Sequence, residues 1–323
     1  MEYTTLGSTG MDVSRICVGC GRFGRNDGAK LDDDAAAAFV DRAIELGINF
    51  FDTANVYSDG ESEEILGSAL AGHDRDELVI ATKVYGEMAD APNKQGLSRK
   101  AIEQELTHSL DRLGMETIDL YQIHRWDDET PVDETLRALD DAVRRNQVRY
   151  IGASSMWAYQ FADALQTSNR LGSERFVTMQ NHYNLVYREE EREMLPLCDE
   201  RSVGVIPWSP LARGFLARPL EELDQTTRGK RIRDSDRVEI YRSNGGEEVN
   251  ERVQELADDY GVSMAQIALA WLLDQPAVDA PIVGMSSIDQ LEDAVQAVEL
   301  SLSESDLTYL EEPYDPKPVS GHS

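Results

Sequence analysis

Short apolar runs of five or six residues alternate along the chain with longer stretches in which apolar positions recur every three or four residues. The first pattern suits strands buried on both faces and the second suits helices with one buried stripe. The predicted strands are 15–19, 48–53, 78–83, 119–124, 150–154, 176–181, 203–207 and 280–284. Helical periodicity falls between them, as at 34–46, 98–113, 132–144 and 287–298, with acidic first turns or glycine stops nearby. Eight strands linked by helices in 323 residues predict an α/β chain folded as a (β/α)8 barrel, the TIM-barrel architecture, over residues 1–312.

Two segments break the alternation. Residues 1–14 hold two short strand patterns around Gly7-Ser8-Thr9-Gly10, an N-terminal β-hairpin expected to close the barrel floor. Between the seventh and eighth strands, 211–277 is a long insertion with helix patterns at 248–260 and 264–273. The proline-rich tail 313–323 reads as an irregular arm.

Composition narrows the partners. With 61 Asp and Glu against 31 Lys and Arg, the formal charge is −30, which disfavours nucleic acid and anionic lipid as ligands. The cations are six Lys and twenty-five Arg, and so acidic and lysine-poor a surface points to a salt-rich cytosol. The start lacks a signal-peptide pattern and no apolar run is long enough to span a bilayer, so a cytoplasmic location is expected.

Several motifs do not survive in context. Gly19-Cys-Gly-Arg-Phe-Gly24 has dinucleotide-fingerprint spacing, yet a turn follows it where a helix should open. Cys17 and Cys20 lack a second pair to complete a zinc site and read as small buried residues. No two histidines stand at i, i+4, so metal catalysis is not expected.

The strand ends carry the chemistry, because a barrel of this kind gathers them into one pocket. The second strand ends at Asp52 with Tyr57 just beyond, the third at Lys83 and the fourth at His124. A lone tyrosine in a loop is ordinarily surface decoration, and a lone Lys or Asp is as easily half of a structural ion pair. Their occurrence together at consecutive strand ends suggests a proton-transfer unit. An ammonium favours the phenolate of a neighbouring tyrosine, and a carboxylate holds that ammonium charged.

The segments Gly47-Ile-Asn-Phe-Phe-Asp-Thr-Ala-Asn-Val-Tyr57, Ser62-Glu-Glu-Ile-Leu-Gly-Ser-Ala-Leu70, Thr82-Lys83 and Gln122-Ile-His124 resemble signatures of the aldo-keto reductase family. The likeness is to its branch of sugar-type reductases and potassium-channel β subunits. It implies Tyr57 as general acid/base, Lys83 and His124 tuning it, Asp52 supporting Lys83, and hydride transfer without metal. It also implies a nicotinamide cofactor held by Ser154, Ser155 and Gln180, with Trp208 stacking on the ring. Ser209, Leu211 and Gly214 would meet the pyrophosphate, while Gly284, Ser286 and Gln290 would grip the adenosine end.

Residues 228–237 form a basic island in an acidic chain, and Arg231 and Arg233 are expected to reach the dinucleotide. NADP(H) is therefore the expected cofactor, with NAD(H) possible. Phe23, Tyr85, Arg125, Trp126 and Trp157 follow strand ends and are expected at the mouth of a pocket for a small carbonyl or alcohol. The alternative function is a nicotinamide-binding, redox-sensing regulatory subunit with little turnover.

Overall fold

The computed structural model describes residues 1–25, 31–223 and 240–316. Arg231, Arg233 and the rest of the basic island lie outside them. The hairpin is β1 (Tyr3–Thr5) paired antiparallel with β2 (Asp12–Ser14). The barrel strands are β3 (Cys17–Gly19), β4 (Phe50–Asp52), β5 (Val79–Val84), β6 (Ile118–Ile123), β7 (Val148–Ser154), β8 (Phe176–Gln180), β9 (Gly204–Val205) and β10 (Ile282–Val283). They run parallel in the order β10-β3-β4-β5-β6-β7-β8-β9, and bridges Val205–Val278 and Trp208–Ile282 join the two ends into a ring. The fold is a (β/α)8 barrel.

Each helix forms where its stripe and caps agree. In helix Val132–Arg144, buried Thr135, Leu136, Ala138, Leu139 and Ala142 make one face against the barrel. Helix Arg99–Leu113 opens on the Ser98 side chain, which accepts from Ala101 N, and stops at Gly114 with φ +64°. The insertion contributes helices Gly246–Tyr260 and Met264–Asp274, the second opened by a Ser263/Gln266 capping box. Residues 313–316 have no regular structure but are docked, with Tyr314 Oη donating to Glu189 Oε1 at 2.7 Å and Asp315 N to Asn244 O at 3.1 Å.

Alternation along the strands divides the barrel interior into two layers. Cys17, Phe50, Val79, Ala81 and Leu120 fill the lower half with Ile206, and Leu6 and Val13 of the hairpin plug it from below. Two residues further along their strands, Asp52, Lys83 and Gln122 form a polar upper layer with Gln180. Gly152 leaves this layer room. A Cβ there would stand 2.3 Å from Thr178 Oγ1 and 2.9 Å from Gln122 Cγ.

Candidate active site

The upper layer is a chain of directed hydrogen bonds. Lys83, fully buried, donates from Nζ to Asp52 Oδ2 at 2.5 Å, Thr53 O at 2.8 Å and Tyr57 Oη at 3.4 Å. The other carboxylate oxygen, Asp52 Oδ1, accepts from Gln122 Nε2 at 2.9 Å and Gln180 Nε2 at 3.0 Å. Gln180 Nε2 also donates to Gln122 Oε1 at 3.1 Å. Because both amide protons of Gln180 are engaged inside the barrel, only its carbonyl oxygen is left as a hydrogen-bonding group for a ligand. Burial alone would lower the Lys83 pKa, but Asp52 and Tyr57 outweigh it and hold the ammonium above its ordinary range.

Tyr57 stands on the 3-10 turn Tyr57–Gly60, shaped by left-handed Ser58 (φ 53°) and Asp59 (φ 57°). Ser58 Oγ ties this turn to Phe23 O at 2.7 Å. The Tyr57 ring meets the His124 ring edge-on at 5.6 Å. Burial, then Lys83 and Arg125, push the His124 pKa well below its ordinary value, so the imidazole is neutral at neutral pH. A second buried network lies behind the turn: Thr82 Oγ1 and Arg112 Nε both donate to Glu63, fixing helix Glu61–Leu70.

These groups open into a cavity of about 910 Å³, and Asp52, Tyr57, His124, Arg125, Gln180, Trp208, Ser209, Leu211, Gly214, Gly284 and Gln290 all lie on its wall. Its size is in the range of small-molecule and cofactor sites. The other expected residues are placed differently. Ser154 and Ser155 are buried behind the wall, and Ser155 Oγ accepts from Trp208 Nε1 at 3.0 Å, so it holds the indole. Ser286 is off the wall and donates its backbone N–H to Gln290 Oε1 at 2.9 Å.

Of the residues expected at the substrate mouth, Arg125 lies on the cavity wall. Phe23 is core, 1% exposed and packed edge-on against Phe39, because the turn after β3 folds its ring inward. Tyr85 and Trp126 pack against the helix-side core, and Trp157 sits at the start of helix Ala158–Leu171. None of the three reaches the cavity wall. Cys17 and Cys20 are fully buried free thiols with pKa values pushed up by burial, then by Asp52. Within Gly19–Gly24 the chain makes a 3-10 turn at Cys20–Arg22, and the next helix among the described residues is Asp33–Glu45. No cluster of His, Cys, Asp and Glu among the described residues could hold a metal.

The wall has further residues that were not among the expected site residues. Arg22, Arg213 and Arg218 add positive charge, and Asp293 adds a carboxylate. Arg213 and Gly214, with φ 59° and 97°, turn the chain between Leu211 and Arg218 along the cavity. Among the described residues, neither Arg213 nor Arg218 pairs with a carboxylate. Gln122 was legible, since it stands two positions before His124 and therefore faces inward. His182, two beyond Gln180, lies in a ring stack behind Trp208.

The model of the aldo/keto reductase family matches residues 15–315. A putative aryl-alcohol dehydrogenase of Schizosaccharomyces pombe is 42% identical, covering 99% of this chain and 97% of its own. Versiconal hemiacetal acetate reductase of Aspergillus parasiticus is 41% identical over 99% of this chain and 98% of its own. An aldo-keto reductase of Fusarium vanettenii is 40% identical over 100% and 94%. With the match spanning almost its whole length, the chain belongs to the aldo/keto reductase family and is an oxidoreductase.

Proposed function

We propose that the protein is an NADP(H)-dependent reductase and dehydrogenase of aldehydes and ketones, with Tyr57 as general acid/base. One observation carries this reading: the Asp52–Lys83–Tyr57 chain, with neutral His124 beside it, faces a cavity of dinucleotide size. The residues fit the cofactor. Gly214 and Gly284 have nothing within 4 Å of a would-be Cβ, so backbone can approach phosphate there. Arg213 and Arg218 supply positive charge in a protein of net −30. Trp208 offers a flat surface for the nicotinamide, Gln180 an acceptor for its carboxamide, and Gln290 a contact at the adenosine end.

When bound, NADPH supplies the hydride to the carbonyl carbon. Tyr57 gives its phenolic proton to the carbonyl oxygen, and the phenolate left behind is stabilised by the Lys83 ammonium. His124 donates its N–H to the same oxygen and so orients it. Asp52 keeps Lys83 charged throughout, and Tyr57 regains a proton from solvent. The putative aryl-alcohol dehydrogenase among the relatives favours aryl alcohols and their aldehydes as first substrates to try.

NADPH oxidation with aromatic aldehydes tests the reading. Tyr57→Phe is expected to lower kcat by about 10²- to 10⁴-fold with the NADPH Kd unchanged. Tight cofactor binding without turnover in the wild type would instead mark a redox-sensing subunit. We read the acidic, lysine-poor composition as a fit to a salt-rich cytosol. An unfolding midpoint that does not rise between low and molar salt would reject that.

A further inference from the structure

Behind Trp208 stands a device that the proton chain does not use. The imidazole of His182 lies between two rings, parallel to Trp208 within 10° and to Tyr187 within 13°, with both centroid separations 4.1 Å. Its rotation is fixed from the edge. His182 Nε2 and Tyr241 Oη are 2.7 Å apart, and the Tyr241 ring meets the imidazole at 78°. Tyr241 is 1% exposed and His182 3% exposed. Trp208 is restrained in turn by its indole N–H on Ser155 and by its backbone N–H on Asn181 O at 2.9 Å. Asn184 Nδ2 donates to Ser209 O at 2.9 Å, which fixes the next residue as well.

We propose that His182 is a positioning residue for hydride transfer: clamped by Tyr187 and Tyr241, it sets the plane of Trp208 against which the nicotinamide rests. This rests on the reading of the cavity as a nicotinamide site. An indole backed only by solvent or by a flexible side chain would librate, and a displacement of about 1 Å at a reacting centre can cost about a hundredfold in rate. Aromatic backing restrains it because the packed stack leaves no room for tilt. Tyr241 belongs to the insertion between the seventh and eighth strands, so the same hydrogen bond joins that residue to the platform.

The test separates the stack from the hydrogen bond. His182→Ala removes both, and is expected to raise the NADPH Kd at least tenfold and to lower the single-turnover rate of NADPH oxidation at least tenfold. His182→Phe keeps a flat ring but gives up the bond to Tyr241 Oη, and should lie between wild type and His182→Ala. Adding Tyr241→Phe removes the other partner of that bond, and this double variant should return to within about threefold of wild type, since replacing both partners of a buried bond by apolar groups is nearly neutral.

A His182→Ala variant within twofold of wild type in both Kd and rate would overturn the proposal. If that variant fails to fold, the two phenylalanine variants decide. A double variant no better than His182→Phe would also overturn it, because the ring would then not be what matters. Wild-type protein that binds neither NADPH nor NADH would refute the cofactor reading itself, a different result from an insensitive His182.

Discussion

Replacing Asp52 by Asn leaves the Lys83 ammonium fully buried, with only Thr53 O, Tyr57 Oη and one amide oxygen near it. In the wild type the folded pKa of Lys83 is raised, so its contribution to stability is fully present below the ordinary value of 10.5 and is lost only above that. In the variant the sign reverses. Burial is then opposed by no carboxylate, the folded pKa falls, and the unfolded chain binds the proton more readily. If Lys83 is fully deprotonated at pH 7, the penalty is the roughly 3.5-unit gap to 10.5 at about 1.4 kcal/mol per unit, or about 5 kcal/mol. Breaking a buried pair by removing one partner costs about 3–5 kcal/mol, which agrees. Chemical denaturation from pH 7 to 10 should show the gap between wild type and Asp52→Asn shrinking by about 1.4 kcal/mol per pH unit. A gap that does not change with pH would refute the assignment of the loss to Lys83. Replacing the pair together, Asp52→Leu with Lys83→Met, should lose less stability at pH 7 than Asp52→Asn while abolishing turnover.

Glu190 is pushed up to about 7 by burial, which outweighs the nearby Asn181 amide, with Glu189 adding to the rise. An acid with a raised folded pKa keeps its proton longer in the native state, so stability falls as pH rises from about 4.5 to 7. Glu190→Gln should flatten that fall and gain up to about 3 kcal/mol over wild type at pH 8, read from urea unfolding at both ends of the window. Arg213→Glu and Arg218→Glu should each raise the NADPH Kd about tenfold or more while leaving the thermal midpoint within a few degrees, because neither residue pairs with a carboxylate among the described residues. An unchanged Kd in both would place the phosphates elsewhere.

The barrel was legible because its strands are buried on both faces and read as uninterrupted apolar runs. The predicted run 119–124 is β6, Ile118–Ile123, shifted by one residue. Period two then places Asp52, Lys83 and Gln122 on the inside, so the polar upper layer follows from the same pattern. Loop residues were not legible. Phe23, Tyr85, Trp126 and Trp157 follow strand ends as Arg125 does, yet of the five Arg125 lies on the wall of this cavity, and apolar periodicity says nothing of how a turn aims a side chain. Arg213 and Arg218 reach the wall through a 3-10 turn with left-handed residues, which an apolar periodicity cannot announce. The family resemblance put Ser155 against the cofactor, yet its hydroxyl accepts from the Trp208 indole N–H.

The ring of strands is uneven in its stitching. From β4 round to β8, neighbours pair over three to five residues, while β8–β9, β10–β3 and β3–β4 pair over two, and the seam between β9 and β10 is closed by two bridges. Asp52, Lys83 and His124 stand on the well-stitched arc, whereas Trp208 to Arg218 and Ile282 to Ala294 belong to the thin one. Amide protons along the seam, such as those of Asp279 and Ile282, should therefore exchange with solvent sooner than those of β5 and β6. The closely paired arc thus carries the proton-handling groups, and the thinly paired arc carries the facing wall of the cavity.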